Sequence, residues 1–279
     1  MVTCYVFISP HLPLFNHKRP PSANIAQNDT MENSMNTDRS TTLFCFSPPV
    51  MLATFLIEIC FAAYIVWRYK MTTVTRLITS ILIFLAIFQG AEYMICGAMG
   101  VPGGTWSRLG YASITMLPPL GLHLMHQLAG KKASWLVAAG YASAAAFIIY
   151  FVFFTQAISG TTCYANYVVF DTARGSSLLY ATYYYGWMLM AIGLGAFWSR
   201  HIKPHRKPAL IALIAGYLAF IVPTTTVNVI DPATIAGIPS IMCGFAVILA
   251  FVLTMKVAPA SLAQRDDRHS FSPFRDIIR

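Results

Sequence analysis

The sequence predicts an all-α fold, a polytopic bundle of seven transmembrane helices with the N-terminus outside and the C-terminus in the cytoplasm. Three observations carry this. Of 279 residues, 57% are hydrophobic and 10% charged, which leaves too little polar surface for a soluble globule. Seven apolar runs reach the roughly 20 residues that a bilayer demands. They lie at Pro49–Trp67, Leu77–Ala98, Trp106–Gly130, Ser134–Ala157, Leu178–Trp198, Ala209–Ile230 and Thr234–Ala258. The basic residues, finally, alternate between sides. Arg68, Lys70 and Arg76 follow the first run, Lys131 and Lys132 the third, and Arg200, Lys203, Arg206 and Lys207 the fifth. Lys256, Arg265, Arg268, Arg275 and Arg279 follow the seventh. The connections on the other side hold only Arg174 and, at a helix edge, Arg108, so the positive-inside rule sets the orientation. The plasma (inner) membrane is the expected location.

The net charge of +9 is thereby accounted for. Basic residues spread over four short pieces make no interleaved patch for nucleic acid, whereas anionic lipid headgroups suit them as partners. Residues 1–46, rich in Pro, Ser, Asn and Thr, are expected to form a disordered extracytoplasmic tail. Residues 47–258 form one membrane domain, and 259–279 a cytoplasmic tail too short for a catalytic domain.

The first helix carries Glu58 near its middle, roughly 14 Å below its outer end. An acid there is costly unless neutralised by protonation or a partner. The second helix carries Gln89, Glu92 and Cys96 at spacings of three and four, hence on one face. Glu92 lies about 9 Å, and Arg108 on the next helix about 5 Å, below the outer surface. Their similar depth predicts a Glu92–Arg108 salt bridge.

The third segment, WSRLGYASITMLPPLGLHLMHQLAG, is the most polar of the seven. Arg108, Tyr111, Thr115 and His126 fall on one stripe, expected to face other helices. Pro118 and Pro119 remove backbone donors at mid-membrane and should kink the helix, which makes them the expected conformational hinge. His123 and His126 are spaced to share a metal, but no third ligand is in sight, so ordinary hydrogen-bonded histidines are expected. No cofactor motif occurs.

Small residues from Ala138 to Ala146 in the fourth helix read as close helix packing. The connection Ile158–Ser177 is the longest on the outer side, where a lid belongs. Its Cys163 and Cys96 both lie on the oxidising side and can be bridged, with Cys45 as a competing partner. Cys60 and Cys243 read as buried apolar fillers. In the fifth helix Tyr180, Tyr183, Tyr184 and Trp187 share a face. An interfacial aromatic belt explains them, and a recognition surface of rings and hydroxyls is the sharper reading. The sixth helix ends with Pro223, Thr224, Thr225, Thr226, Asn228 and Asp231, and Pro239 is expected to interrupt the seventh early.

Trp106, Gly110 and Tyr111 after a turn, then Pro118 and Pro119 in mid-helix and the basic end Gly130-Lys131-Lys132, resemble the seven-helix N-terminal sensor region of some bacterial histidine kinases. The resemblance covers about fifty residues plus helix count and orientation. It implies a membrane region that senses a ligand or a membrane state. No phospho-accepting dimerisation helix or ATP-binding domain follows, so the output would pass to a separate cytoplasmic partner.

Polar groups on five helices thus reach similar depths, which predicts an outward-facing pocket for a small molecule. Glu58, Gln89, Glu92, Arg108, Tyr111, Tyr183, Tyr184, Trp187, Thr225 and Asn228 are expected to line it. The expected function is a sensor or receptor. The rival is a proton-coupled transporter or permease with Glu58 and Glu92 as carriers. An enzyme is disfavoured, since no Ser/His, Cys/His or metal set shares one depth.

Overall fold

A computed structural model describes residues 48–96, 103–154, 157–163, 167–172, 176–230 and 232–261. The expected disordered tail at 1–46, most of the C-terminal tail, and Cys45, Arg174 and Asp231 lie outside the described residues. Helix makes up 86% of the described chain. Five stretches are long and apolar enough to cross a membrane: Pro49–Arg68, Thr73–Cys96, Trp135–Phe153, Pro204–Ile230 and Ile238–Ser261. Their outward faces carry exposed Leu56, Ile149, Phe153, Val222 and Phe251, a surface suited to lipid and not to water. The chain is built as a multi-pass membrane protein.

Helix α1 (Pro48–Arg68) turns into α2 (Thr73–Cys96) through a reciprocal cap. The Thr72 amide donates to Thr75 Oγ1 at 2.7 Å and the Thr75 amide to Thr72 Oγ1 at 3.3 Å, which satisfies two of the amides a helix start leaves free. The third apolar run is two helices, α3 (Gly103–Thr115) and α4 (Leu117–Ala129), separated at Met116. Pro118 and Pro119 therefore occupy the first turn of a new helix, where a missing N–H costs least. The expected kink is a break placed just before the prolines.

Helix α4 ends at Gly130, whose φ of 68° lies in the left-handed region. The Gly130 amide reaches Gln127 O at 3.0 Å and the Lys131 amide reaches His126 O at 2.9 Å, a glycine-dependent stop. A side chain at this position would also run into the Arg206 guanidinium. After α5 (Trp135–Phe153) comes the main departure from the all-α expectation. The long connection contains an antiparallel hairpin of β1 (Ile158–Cys163) and β2 (Val168–Thr172), pairing Gly160 with Asp171 and Cys163 with Val168. Its strands are rich in Ile, Val, Thr and Phe, which favour a pleated half-buried surface, and Val168 and Phe170 point inward while Asp171 is exposed.

Helix α6 (Ser176–Ser199) leads through a short 3-10 turn at Pro204–Arg206 into α7 (Lys207–Ile230). A second 3-10 turn, Pro232–Gly237, precedes α8 (Ile238–Val252), which continues through a π-turn at Leu253–Val257. Pro239 thus begins α8 and does not interrupt it, because a first-turn proline fits a helix start. Helix α2 packs against α1, α3, α4 and α8. Ile78, Leu82, Leu85, Leu124, Met125, Leu210 and Leu213 fill the core between α2, α4 and α7. Helices α4 and α7 touch at Gly121, where even a methyl group would meet the Tyr217 hydroxyl.

Candidate ligand cavity

A cavity of about 720 Å³ lies at the hairpin end of the bundle, within the size range of small-molecule sites. Helices α3, α5 and α6 wall it with rings, β2 borders it, and the Pro232–Gly237 turn with the start of α8 completes it. Because α3 presents Tyr111 toward α5 and β2, its ring meets Phe151 at 4.7 Å, Phe170 at 5.2 Å and Tyr180 at 5.5 Å between centroids. Tyr180 continues the cluster to Tyr183 and Tyr184 at 5.8 and 6.0 Å. Such mutually tilted rings form a rigid wall whose faces are electron-rich.

Hydroxyls fix these rings from behind. Thr115 Oγ1 donates to Tyr111 O at 2.6 Å and lies 3.1 Å from the Tyr180 hydroxyl. The Tyr183 hydroxyl donates to Thr115 O at 2.7 Å. That carbonyl is the one a helix would give to the amide of residue 119, and Pro119 has none, so the tyrosine takes the place of the absent donor. Trp187 Nε1 donates to Ser143 Oγ at 3.0 Å and ties α6 to α5.

Among the described residues, one carboxyl group lines the cavity and two lie buried behind it. Asp171, the exposed residue of β2, is among the lining residues. Gly160, its register partner, leaves room for the carboxylate, since a Cβ there would stand 3.1 Å from Asp171 Oδ2. Behind the wall, Glu92 is 1% and Glu58 0% exposed. Glu92 lies within electrostatic reach of Tyr111 and Cys243, both lining residues, and of Glu58. One Glu92 oxygen is hydrogen-bonded by Ser240, whose hydroxyl also accepts the Val168 amide at 3.1 Å. Both Glu58 oxygens, Glu92 Oε1 and Gln89 Nε2 have no hydrogen-bond partner among the described residues.

The expected Glu92–Arg108 salt bridge is not formed. Gly110 is the α3 residue that faces α2, 3.4 Å from Phe88 and 3.5 Å from Ala91 measured from an ideal Cβ. Arg108, two residues away and so about 200° round the helix, points elsewhere. Similar depth does not bring the two side chains together, because azimuth decides which way each faces. Cys96 and Cys163 are joined in a disulfide that fastens β1 to the end of α2. Cys60, expected to be buried, is exposed on α1, while Cys243 is buried in the cavity floor.

Of the residues expected to line a pocket, Tyr111 and Tyr184 do so. Glu58, Gln89 and Glu92 are interior, behind the lining. Tyr183 and Trp187 brace the wall, and Arg108 is half-buried off the lining. Thr225 Oγ1 donates to its own helix at Ile221 O (2.9 Å), and Asn228 Oδ1 accepts from Thr234 Oγ1 at 2.9 Å, which pins α7 to the following turn. Phe151, Phe170, Met242 and Ser240 were not singled out from the sequence; Phe and Met on an apolar helix carry no signal that distinguishes a cavity from lipid. His126 is held by Leu122 O and Ser134 Oγ, each at 2.9 Å, and packs edge-on against Trp198. Among the described residues no three His, Cys, Asp or Glu side chains are grouped to hold a metal ion. Compared with models of known protein families and with the curated proteins, the chain matches none.

Proposed function

We propose that this chain is a sensor-type membrane protein of seven spans, N-terminus outside, whose cavity beneath the hairpin takes a small ligand. Five spans follow from length and hydropathy. The other two are α6, of 24 residues, and the α3–α4 pair running from Gly103 to Ala129; at 1.5 Å per residue each reaches about 36–40 Å, more than the ~30 Å hydrocarbon layer. Arg68, Lys131 and Arg206 then face the cytoplasm of a plasma (inner) membrane, and the signal passes to a separate cytoplasmic partner.

One observation carries the reading. The floor residues Tyr184, Met242 and Cys243 also bound a small void of about 20 Å³ that touches Leu117 and Pro118 at the break between α3 and α4. A ligand in the cavity presses on the same side chains that pack against this break. It shifts the break between arrangements by its differential affinity for them. The test is a thermal-shift screen of the purified protein against Ala181→Trp, which fills the cavity. The reading requires compounds that stabilise the parent and not the variant; a screen in which every stabilising compound acts equally on both refutes it.

Glu58 and Glu92, buried and without a cationic partner, favour a second reading as a proton-coupled transporter. In that case proteoliposomes show solute uptake driven by a pH gradient, abolished by Glu58→Gln or Glu92→Gln.

A further inference from the structure

We infer that the buried carboxyls of Glu58 and Glu92, with the Gln89 amide between them, form a site for a sodium ion; the inference stands apart from the reading of the cavity. The three side chains are 0, 1 and 2% exposed. Both Glu58 oxygens, Glu92 Oε1 and Gln89 Nε2 nevertheless have no hydrogen-bond partner among the described residues, a state that buried polar groups rarely keep without a ligand or water. Helix packing turns them toward one another. An ideal Cβ on Gly90 would stand 3.3 Å from the Phe55 ring, which sets the register of the antiparallel α1 and α2. Glu58 lies three residues from Phe55 on the side away from the hairpin, and Glu92 two residues from Gly90 toward it, so their levels differ by about 8 Å. A helical side chain leans toward its own N-terminus, which carries Glu58 toward the hairpin and Glu92 away from it. The carboxyls therefore converge, each within electrostatic reach of Cys243 on α8, and Gln89, on the Glu92 face of α2, lies at a level between them.

The donor set decides the ion. Free oxygens among the described residues are the two of Glu58, Glu92 Oε1, the Gln89 carbonyl and the Ser240 hydroxyl beside Glu92. Calcium takes six to eight oxygens and magnesium gives up its water reluctantly, and no third His, Cys, Asp or Glu joins the pair to hold a transition metal. A monovalent ion needs fewer ligands and can keep one water, which accepts from Gln89 Nε2. Packed core closes off all three side chains, so the smaller alkali ion is favoured. Because Ser240 also accepts the Val168 amide at 3.1 Å, the ion lies at the root of the hairpin.

The full chain in maltoside micelles is unfolded thermally, at constant ionic strength, in the chlorides of sodium, potassium, calcium and choline, and sodium NMR line widths are read on the same sample. Sodium raises Tm saturably, potassium matches it only at about ten-fold higher concentration, and choline gives no rise. Glu58→Gln and Glu92→Gln each abolish the sodium-dependent rise, Gln89→Leu weakens it several-fold, and Asp171→Asn keeps it. Should the glutamate variants fail to fold, the excess sodium line width of the parent chain, displaced by potassium only at about ten-fold excess, reads the site directly. Equal curves in sodium, potassium and choline, the behaviour of two acids filled by protons alone, overturn the inference. A preference for calcium, or a sodium-dependent rise that survives in both glutamate variants, overturns it as well. Ala181→Trp, which tests the cavity, leaves the sodium effect in place, so the two readings fail independently.

Discussion

Tyr183→Phe removes one oxygen and leaves the ring in place, so its effect isolates the bond to Thr115 O at 2.7 Å. That carbonyl is buried, with Thr115 at 0% exposure, and Pro119 cannot supply the amide that would otherwise satisfy it. An orphaned buried acceptor costs about 1–3 kcal/mol in water-soluble proteins. Bonds between helices in a bilayer measure lower, about 0.6 and at most ~1.7 kcal/mol, because the competing state also finds partners. We therefore expect a loss of about 1–1.5 kcal/mol, or roughly 2–6 °C in Tm for a chain of this size. The decisive variant is Pro119→Ala, which restores an N–H four residues beyond Thr115. In that background Tyr183→Phe should cost less than half as much, a coupling measurable by thermal unfolding in micelles with all four members of the cycle. Equal losses in both backgrounds, or no loss in the first, would show that the tyrosine does not substitute for the proline's missing donor.

Further outcomes follow from single contacts. Gly130→Ala forces a positive φ on a residue with a Cβ and drives that atom into the Arg206 guanidinium; a loss of about 1–2 kcal/mol is expected in denaturant unfolding. Gly121→Ala meets the Tyr217 hydroxyl and should cost about 1–3 kcal/mol as an overpacked contact. Tyr217→Phe in the same chain relieves it only in part, because the ring Cζ stays 2.8 Å from the new methyl. Reduction of Cys96–Cys163 should raise amide exchange first in β1 and β2, with the core of α2, α4 and α7 unchanged; uniform loss of protection would contradict this. A single cysteine placed at Lys132 should react with impermeant thiol reagents only from the cytoplasmic side, and one at Thr161 only from outside.

The helices were legible because lipid imposes one demand everywhere, about 20 apolar residues, and the runs ending at Trp67, Ala157 and Ile230 meet it. The hairpin was hidden by the same filter. Strands of six and five residues leave no trace in a window of that length, although the β-branched ISGTTC and VVFDT carried the signal. Spacing puts Gln89 and Glu92 on one face of α2, and both are buried, but they lie behind the cavity lining, and the partner of Glu92 is Ser240, an inconspicuous residue whose position depends on where α8 begins. Arg108 shows the limit most plainly. Counting residues gives depth along the bilayer normal, and only packing, here Gly110 against Phe88 and Ala91, gives the direction in which a side chain faces.

The bridge at Cys163 has a mechanical consequence. It joins the hairpin to α2 one turn above Glu92; Val168, opposite Cys163, bonds Ser240 on α8; and Ser240 bonds Glu92 on α2. Strand pair, α8 and α2 are thus links of a closed chain, and a closed chain has no free end. Whatever lifts the roof must drag a long apolar helix with it, so the work of lifting falls on the bundle and is not dissipated in a loop. Cutting the sulfur link opens the chain and leaves the roof to move alone.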